Sequence, residues 1–504
     1  MKSLTELLHA SRDFLIGVEL VSVRGSMTEK SAVKARAFAN ELVDLPSVDW
    51  ISITDNAGGN PRLAAQALAK PILYAGKEVV IHLTCKDLNR NGLESEAWQL
   101  DSEGFHNVLA MTGDYPVSGS GGMAKPVFDL DSVGLISLLN KMNAGFEGRH
   151  AKTDFCIGAV VNNYKAWEGE LIPQYLKLRK KVECGASFII NQVGYDARKM
   201  HELVLYAQLH GMEHVPFIGN VFLLSPRSAR LFANGKIPGI VVTPTLLELC
   251  EKHARATDDG AKFFMEFAAK QMAVFRGLGY RGVYLGGVRD AGTLRRIMEI
   301  ERTFSSDDWK EFARELNFSQ DHEFFLYAEN PETGLADPQH ETPRGRSRTF
   351  SPSYRMSKWV HQLAFRPDLP VARLGAAISG HAKDPAQGPG ALRAVERLSK
   401  AVLFRCKDCG DCSLPETAYL CPESQCAKNQ RNGPCGGTRG GLCEVDGFGE
   451  CIWLRAYERL KADGLEESLL DHAPVVQDQQ LRGTSSWANN WLKRDHAGKE
   501  NQKP

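Results

Sequence analysis

The sequence predicts an α/β protein: a (β/α)8 TIM barrel followed by a C-terminal cysteine-rich metal-binding module. Two observations carry that expectation. From Phe14 to about Leu285, short apolar runs, polar or glycine-rich breaks and longer helix-periodic segments alternate, which is the rhythm of strands covered by helices. Eight of the twelve cysteines then crowd between Cys406 and Cys451.

The strands are expected at Phe14–Leu20, Val48–Thr54, Val79–Thr84, Asn107–Met111, Phe155–Val161, Phe188–Gln192, Val215–Gly219 and Gly282–Leu285. Each reads as a near-continuous apolar run, the pattern of a strand buried on both faces of a parallel sheet. Helices are expected at Glu29–Val43, Pro61–Ala75, Gln174–Cys184 and Ala197–His210. Eight such strands fit the about 250 residues typical of a closed barrel. An open doubly wound sheet is the rival fold, but no G-x-G-x-x-G follows the first strand, which argues against a dinucleotide-binding Rossmann unit.

Beyond the barrel (1–300), a connecting region (301–400) has looser patterning. Asn330–Gly334 and His340–Pro352 read as loops, Trp359–Phe365 and Leu392–Leu403 as helices, and Gly375–Gly390 as a linker. The cysteine module spans 401–465, and residues 466–504 form a polar tail expected to be mobile.

Composition narrows the function. With 504 residues, 43% hydrophobic, and 61 basic against 61 acidic side chains, there is a large core and no net charge to favour nucleic acid or an anionic surface. No apolar stretch reaches the 18 residues of a membrane span; Phe263–Leu278 is interrupted by Glu266, Lys270 and Arg276. The start, Met1-Lys2-Ser3-Leu4-Thr5-Glu6, carries no signal-peptide pattern, so the expected address is cytoplasmic.

Polar residues sit where the apolar runs end: Glu19, Thr54-Asp55-Asn56, His82 and Thr84, Thr112-Gly113-Asp114, and Asn191-Gln192. In a barrel these ends meet at the C-terminal face, where barrel enzymes do their chemistry. Taken singly, a carboxylate there is a helix cap and His82 a satisfied core histidine; six such positions on one rim favour a site.

The cysteine module opens with Cys406, Cys409 and Cys412 in a C-x2-C-x2-C run and continues through Cys421, Cys426, Cys435, Cys443 and Cys451. Three thiolates from one tight turn suit three corners of an iron–sulfur cluster, with a distant fourth. Zinc and thiol redox chemistry are the alternatives, and eight thiols suffice for one site or two. Gly410 and the Asn432-Gly433-Pro434-Cys435-Gly436-Gly437 turn provide the backbone freedom to wrap such a centre.

Together, Glu19, the His82-Leu83-Thr84-Cys85 run, Leu109-Ala110-Met111-Thr112-Gly113-Asp114-Tyr115-Pro116, and Leu178 to Ala186 leading to Asn191-Gln192 resemble methylenetetrahydrofolate reductase. The similarity covers roughly residues 10 to 290. The module around Asn432–Gly437 and Cys443-Glu444-Val445 looks like the C-terminal module of some bacterial reductases of this class, which in acetogens occurs as a separate metal-binding subunit.

The resemblance implies a flavin, FAD first and FMN as the alternative, with NAD(P)H as co-substrate and a folate as substrate. It implies Glu19 as the acid that protonates the folate N10, Asp114 as a second catalytic residue beside flavin and pterin, and Gln192 as a pterin ligand. Thr54, His82, Thr84, Leu109, Thr112, Gly113, Asp114 and Lys181 match flavin-contacting positions, and the eight clustered cysteines match the metal ligands. A homo-oligomer is expected, with an electron-transfer protein as a further partner.

Three departures stand out. Leu20-Val21-Ser22-Val23-Arg24 replaces the aromatic pair and Pro-Pro that commonly follow the glutamate. Asp55 stands where a tyrosine is common, and Thr112 where an arginine is often found. Two other functions are compatible with these residues: a methyltetrahydrofolate oxidase of one-carbon catabolism with another electron acceptor, and a non-catalytic metal-bearing adaptor.

Overall fold

The computed structural model describes residues 2–10, 13–116, 122–345, 347 and 351–500. Part of the expected loop His340–Pro352 and the last four residues of the tail lie outside them. The chain divides into two compact units: Met1–Pro343 with Gly436–Gly440, and Arg344–Cys435 with Gly441–Pro504.

In the first unit, eight strands close into a barrel in sequence order. They are β1 (Leu15–Leu20), β2 (Trp50–Ile53), β3 (Glu78–Thr84), β4 (Asn107–Met111), β5 (Cys156–Val161), β6 (Phe188–Asn191), β7 (Phe217–Phe222) and β8 (Gly282–Gly286). Parallel pairing of β1 with both β2 and β8 completes the ring and rules out the open sheet. All eight expected strands are present. β7 begins later than expected because Pro216 lacks the N–H that a central strand donates.

The helix after β5 runs Glu168–Glu183, six residues earlier than the expected Gln174. It is buried almost all round, with Glu170, Gln174, Lys177, Lys180 and Lys181 among the buried residues. No one-sided apolar stripe therefore marked its start, and Pro173 lies within its second turn.

The barrel interior is a packed core. Leu15, Trp50, Val80, Leu109, Phe188, Ile190, Ile218 and Tyr284 form one buried cluster, with Leu4 and Leu8 of the N-terminal helix packed among them. Gly17 faces Trp50 across the β1–β2 register. The indole fills the space of the missing side chain, since a Cβ on Gly17 would lie 2.1 Å from Trp50 Cε2. A two-stranded antiparallel ribbon, Tyr327–Glu329 with Ala336–Glu341, also belongs to this unit, inside the region expected to be irregular.

The second unit contains the helices Pro352–Ala364, Pro370–Gly380 and Gly390–Phe404. The expected linker at Gly375–Gly390 is thus partly helical, and Gly375 lies against the Trp491 indole. The tail expected to be mobile is built into this unit. Glu396 accepts hydrogen bonds from Ser485 Oγ at 2.6 Å and Ser486 N at 2.9 Å, and Asn489 Nδ2 donates to Gly410 O at 2.9 Å. Ser485, Ser486 and Asn489 are buried partners rather than part of a solvated face, a distinction composition does not carry. Among the described residues, no helix is long and apolar enough to cross a membrane.

Filling the space under the Trp50 indole overpacks the barrel. Gly17→Ala is expected to lower stability by about 1–3 kcal/mol or more, read from the midpoint of urea unfolding; an unchanged midpoint contradicts the packing described.

Candidate active site and cysteine centre

Side chains on a strand alternate inside and outside, so Glu19 shares the interior face of β1 with Leu15 and Gly17. It pairs in register with Ser52 of β2. The Tyr284 hydroxyl, on β8, donates a hydrogen bond to the Glu19 carboxyl. The same hydroxyl lies 2.5 Å from Ser52 Oγ and 3.5 Å from His82 Nε2. Trp50 stacks on Tyr284 with ring centroids 5.3 Å apart, forming the apolar floor beneath this polar layer.

Burial sets the protonation of the layer. It pushes the Glu19 carboxyl up to about 7, and the Tyr284 hydrogen bond pulls weakly the other way. His82 is driven down to about 3 by burial and by the nearby Lys86 charge, so its ring is neutral at ordinary pH. A protonatable carboxyl and a neutral imidazole therefore share one interior layer.

Above it, the ends of β2, β3 and β4 are knitted together. Thr54 Oγ1 accepts from Ser22 N at 3.0 Å. Thr84 Oγ1 donates to Asp55 Oδ2, and Lys86 Nζ, almost fully buried, donates to Thr84 Oγ1 at 2.5 Å and Asp55 Oδ2 at 3.2 Å. Gly113 backs onto this group: a Cβ there would lie 3.0 Å from Thr84 Cβ. Asp114 Oδ2 accepts from Gly58 N at 2.8 Å, joining the loops after β2 and β4. Thr112 is buried beside them.

Glu19, Thr54, His82, Thr84, Thr112, Gly113 and Asp114 therefore all lie on the interior layer or at the ends of β1 to β4. Three other expected residues are placed differently. The Leu109 side chain belongs to the barrel core, and Leu109 lies in the middle of β4, paired with His82 of β3 and Gly158 of β5, away from the strand end. Lys181 Nζ donates to Val160 O of β5, and burial lowers its ammonium to about 7. Gln192 lies just past β6, where its Oε1 accepts from Val193 N at 2.9 Å.

Sequence reasoning missed Ser52, Tyr284 and Lys86. The first two occupy interior positions of apolar runs and gave no local signal; Lys86, two residues beyond Thr84, carried the signal of a cation at a strand end. It also missed Asn162 and Lys165. Asn162 Nδ2 donates to Gly239 O at 3.1 Å and Gly436 O at 3.0 Å, and Lys165 Nζ to Gly436 O at 2.6 Å. Two further buried polar atoms, Asn163 Oδ1 just past β5 and Gln174 Nε2 within the helix Glu168–Glu183, have no hydrogen-bond partner.

In the second unit the eight thiols fall into two groups of four. Cys406, Cys409, Cys412 and Cys421 line one small cavity. Charge on Cys412 and Cys421 raises the thiols of Cys406 and Cys409, with burial the larger cause; Cys409 reaches about 12. Cys426, Cys435, Cys443 and Cys451 interact in the same way among themselves, and Cys426 also reaches about 12, chiefly through burial. Gly410 adopts φ +74° between Cys409 and Cys412, and a Cβ there would strike Leu481 O, so the turn demands glycine. N–H groups already face sulfur: Asp408 N lies 3.3 Å from Cys406 Sγ and Gln430 N 3.4 Å from Cys426 Sγ. Among the described residues, no three His, Cys, Asp or Glu side chains form a group able to hold a metal ion.

A closed parallel barrel with titratable side chains gathered at the C-terminal ends of its strands defines the class, a (β/α)8 protein with an enzyme-like mouth. The family model for methylenetetrahydrofolate reductase matches residues 9–274, and a second model, for the C terminal of methylene-tetrahydrofolate reductase, matches residues 390–479. The chain belongs to the methylenetetrahydrofolate reductase family.

A 5,10-methylenetetrahydrofolate reductase of Salmonella typhimurium is 26% identical over 201 residues, 37% of this chain and 62% of that protein. Its counterpart in Pectobacterium carotovorum is 28% identical over 151 residues, 29% of this chain and 45% of that protein. The chain thus spans about half the length of the curated relatives it matches. A Clostridium thermocellum protein that binds two copies of 5-methyl-5,6,7,8-tetrahydrofolic acid superposes with a TM-score of 0.42 at 11% identity, over 59% of this chain and 96% of that one.

A donor to a carboxylate favours its charged form, so Tyr284→Phe is expected to move the Glu19 titration above about 7. Difference infrared spectra of the carboxyl band across a pH series read this directly. A midpoint that stays put or falls contradicts the Tyr284–Glu19 contact.

Proposed function

We propose that this protein interconverts 5,10-methylenetetrahydrofolate and 5-methyltetrahydrofolate, as a flavin-dependent oxidoreductase with NAD(P)H as electron donor. Family membership supports the folate chemistry. The observation that carries the reading is Glu19, an interior carboxyl held by Tyr284 and kept protonatable near pH 7.

A bound flavin, FAD or FMN, would supply the hydride chemistry. Thr54, His82, Thr84, Thr112, Gly113 and Asp114 would hold it, with Lys181 supporting β5 behind them. The hydroxyl, amide and carboxylate groups at this rim suit a polar ring system. Asp55 replaces the tyrosine that the resemblance leads one to expect, and it ties Thr84 and Lys86 together instead of offering a ring face.

The chain's own residues act on the folate. Its five-membered ring opens before the one-carbon unit accepts hydride, and opening requires a proton on N10. Glu19 delivers that proton, and burial keeps a proton available there at a pH where an exposed glutamate has none. The Asp114 carboxylate favours cationic character as it develops on the folate. Gln192 offers the pterin an amide with both a donor and an acceptor.

In the second unit we propose two four-cysteine centres. The first, whose four thiols line one cavity, would hold an iron–sulfur cluster, with zinc as the alternative. A tetrahedral zinc ion would draw all four sulfurs to about 2.3 Å from a single centre, whereas a cubane needs room between them.

Half-reactions separate the roles. Glu19→Gln is expected to slow the folate half-reaction by about 10²–10⁴-fold while leaving flavin reduction by NADH or NADPH near wild type, both read by stopped-flow absorbance. In the wild type the folate half-reaction should fall as pH rises through about 7, since the acid form of Glu19 is then lost. Equal loss of both half-reactions in Glu19→Gln removes Glu19 from the acid role. For the second unit, Cys409→Ala is expected to remove the iron of the first four-cysteine centre, read by elemental analysis of anaerobically purified protein. Unchanged iron means Cys409 is no ligand.

A further inference from the structure

Three residues of the cysteine-rich stretch are built into the barrel unit. Gly436–Gly440 belongs to that unit, while Cys435 before it and Gly441 after it belong to the other. Gly436, Gly437 and Thr438 are buried. Two side chains just past β5 hold the segment by its carbonyls. Lys165 Nζ donates to Gly436 O at 2.6 Å and to Thr438 O at 2.5 Å, and Asn162 Nδ2 donates to Gly436 O at 3.0 Å. Lys165 is itself almost fully buried, and an ammonium out of water needs such partners.

The segment lies beside Gln192. Gly239 marks the corner: a Cβ there would lie 3.0 Å from both Asn162 Nδ2 and Gln192 Nε2, and 3.3 Å from Gly436 O. At φ +82° this position takes glycine, which lets the three groups approach one point. Asn162 follows β5 and Gln192 follows β6, so the corner lies at the C-terminal ends of those strands. The groups proposed to hold the flavin lie instead at β1 to β4.

With its carbonyls taken, the segment keeps free donors. Gly437 N and Thr438 N make no hydrogen bond with any other described residue, and neither does Gln192 Nε2. Gln174 Nε2, buried and also without a partner, would lie 3.7 Å from a Cβ on Gly436. Donors gathered at a barrel mouth suit a ring edged with carbonyl and ring-nitrogen acceptors. We propose that the N–H groups of Gly437 and Thr438 bind the pterin edge of the folate, with Lys165 as the residue that positions them. The inference rests on the folate reading and adds a pterin contact from outside the eight strands and their helices.

Calorimetric titration of the full-length protein with 5-methyltetrahydrofolate tests it. Lys165→Met is expected to weaken binding about tenfold or more, while flavin reduction by NADH or NADPH stays within about twofold of wild type. Circular dichroism checks that the variant folds. Hydrogen–deuterium exchange on the wild type decides the matter without any variant. Exchange of the Gly437 and Thr438 amides should slow when the folate binds, which a merely structural segment would not show. Wild-type affinity in folded Lys165→Met, parallel loss of flavin reduction, or amide exchange indifferent to the folate overturns the proposal and leaves the folate reading intact. A wild-type protein that does not bind 5-methyltetrahydrofolate overturns both.

Discussion

The account of the barrel depends on one constraint, a half-buried carboxyl group on the inner face of a closed cylinder of strands. A charged carboxylate there costs too much to keep unless it is paired. Glu19 meets the Tyr284 hydroxyl, which itself lies beside Ser52 and the neutral His82 ring. The group therefore retains its proton to near pH 7, the condition that the proposed acid role requires. The packed floor is what maintains this. Trp50 fills the space left by Gly17 and stacks on Tyr284, so the hydroxyl that meets Glu19 is fixed from below. Above, the Asp55–Thr84–Lys86 group ties the strand ends together and places a buried cation near His82, which keeps that ring neutral.

The second unit solves a different problem with similar economy. The thiols of Cys409 and Cys426, one in each group of four, are raised chiefly by burial, and the repulsion between ionised sulfurs of each group adds to it. Such groups become favourable when a metal centre takes their protons' place. The C-terminal residues support them: Glu396 gathers Ser485 and Ser486, and Asn489 reaches the Gly410 turn. The segment that looked dispensable by composition therefore braces the cysteine loops.

Much of the barrel was legible because strands buried on both faces write themselves as apolar runs. β4 has the expected limits, and the other seven deviate only at their ends. The rim was legible in the same way, since Glu19, His82 and Asp114 interrupt or end such runs. What stayed hidden was whatever closure brings together. Tyr284 belongs to the last strand and meets Glu19 of the first only because the barrel closes, and within its own run it reads as one more aromatic core residue. The helix Glu168–Glu183 blurred because its buried faces include lysines and glutamate, contrary to the usual sorting of charge to the outside. The helices between Pro352 and Phe404 were only partly legible: alanine and glycine supply few large side chains for a periodic stripe, and Gly375 is present for the Trp491 ring and not for flexibility.

The most direct measurement is the titration of Glu19 itself, in the wild-type protein without substrate, from the pH dependence of a carboxyl infrared band that disappears in Glu19→Gln. A midpoint near 7 is what burial inside the barrel predicts. A midpoint at the ordinary carboxyl value of 4.5 would mean that water reaches the group, and the proton-donor account of the mouth would fall with it.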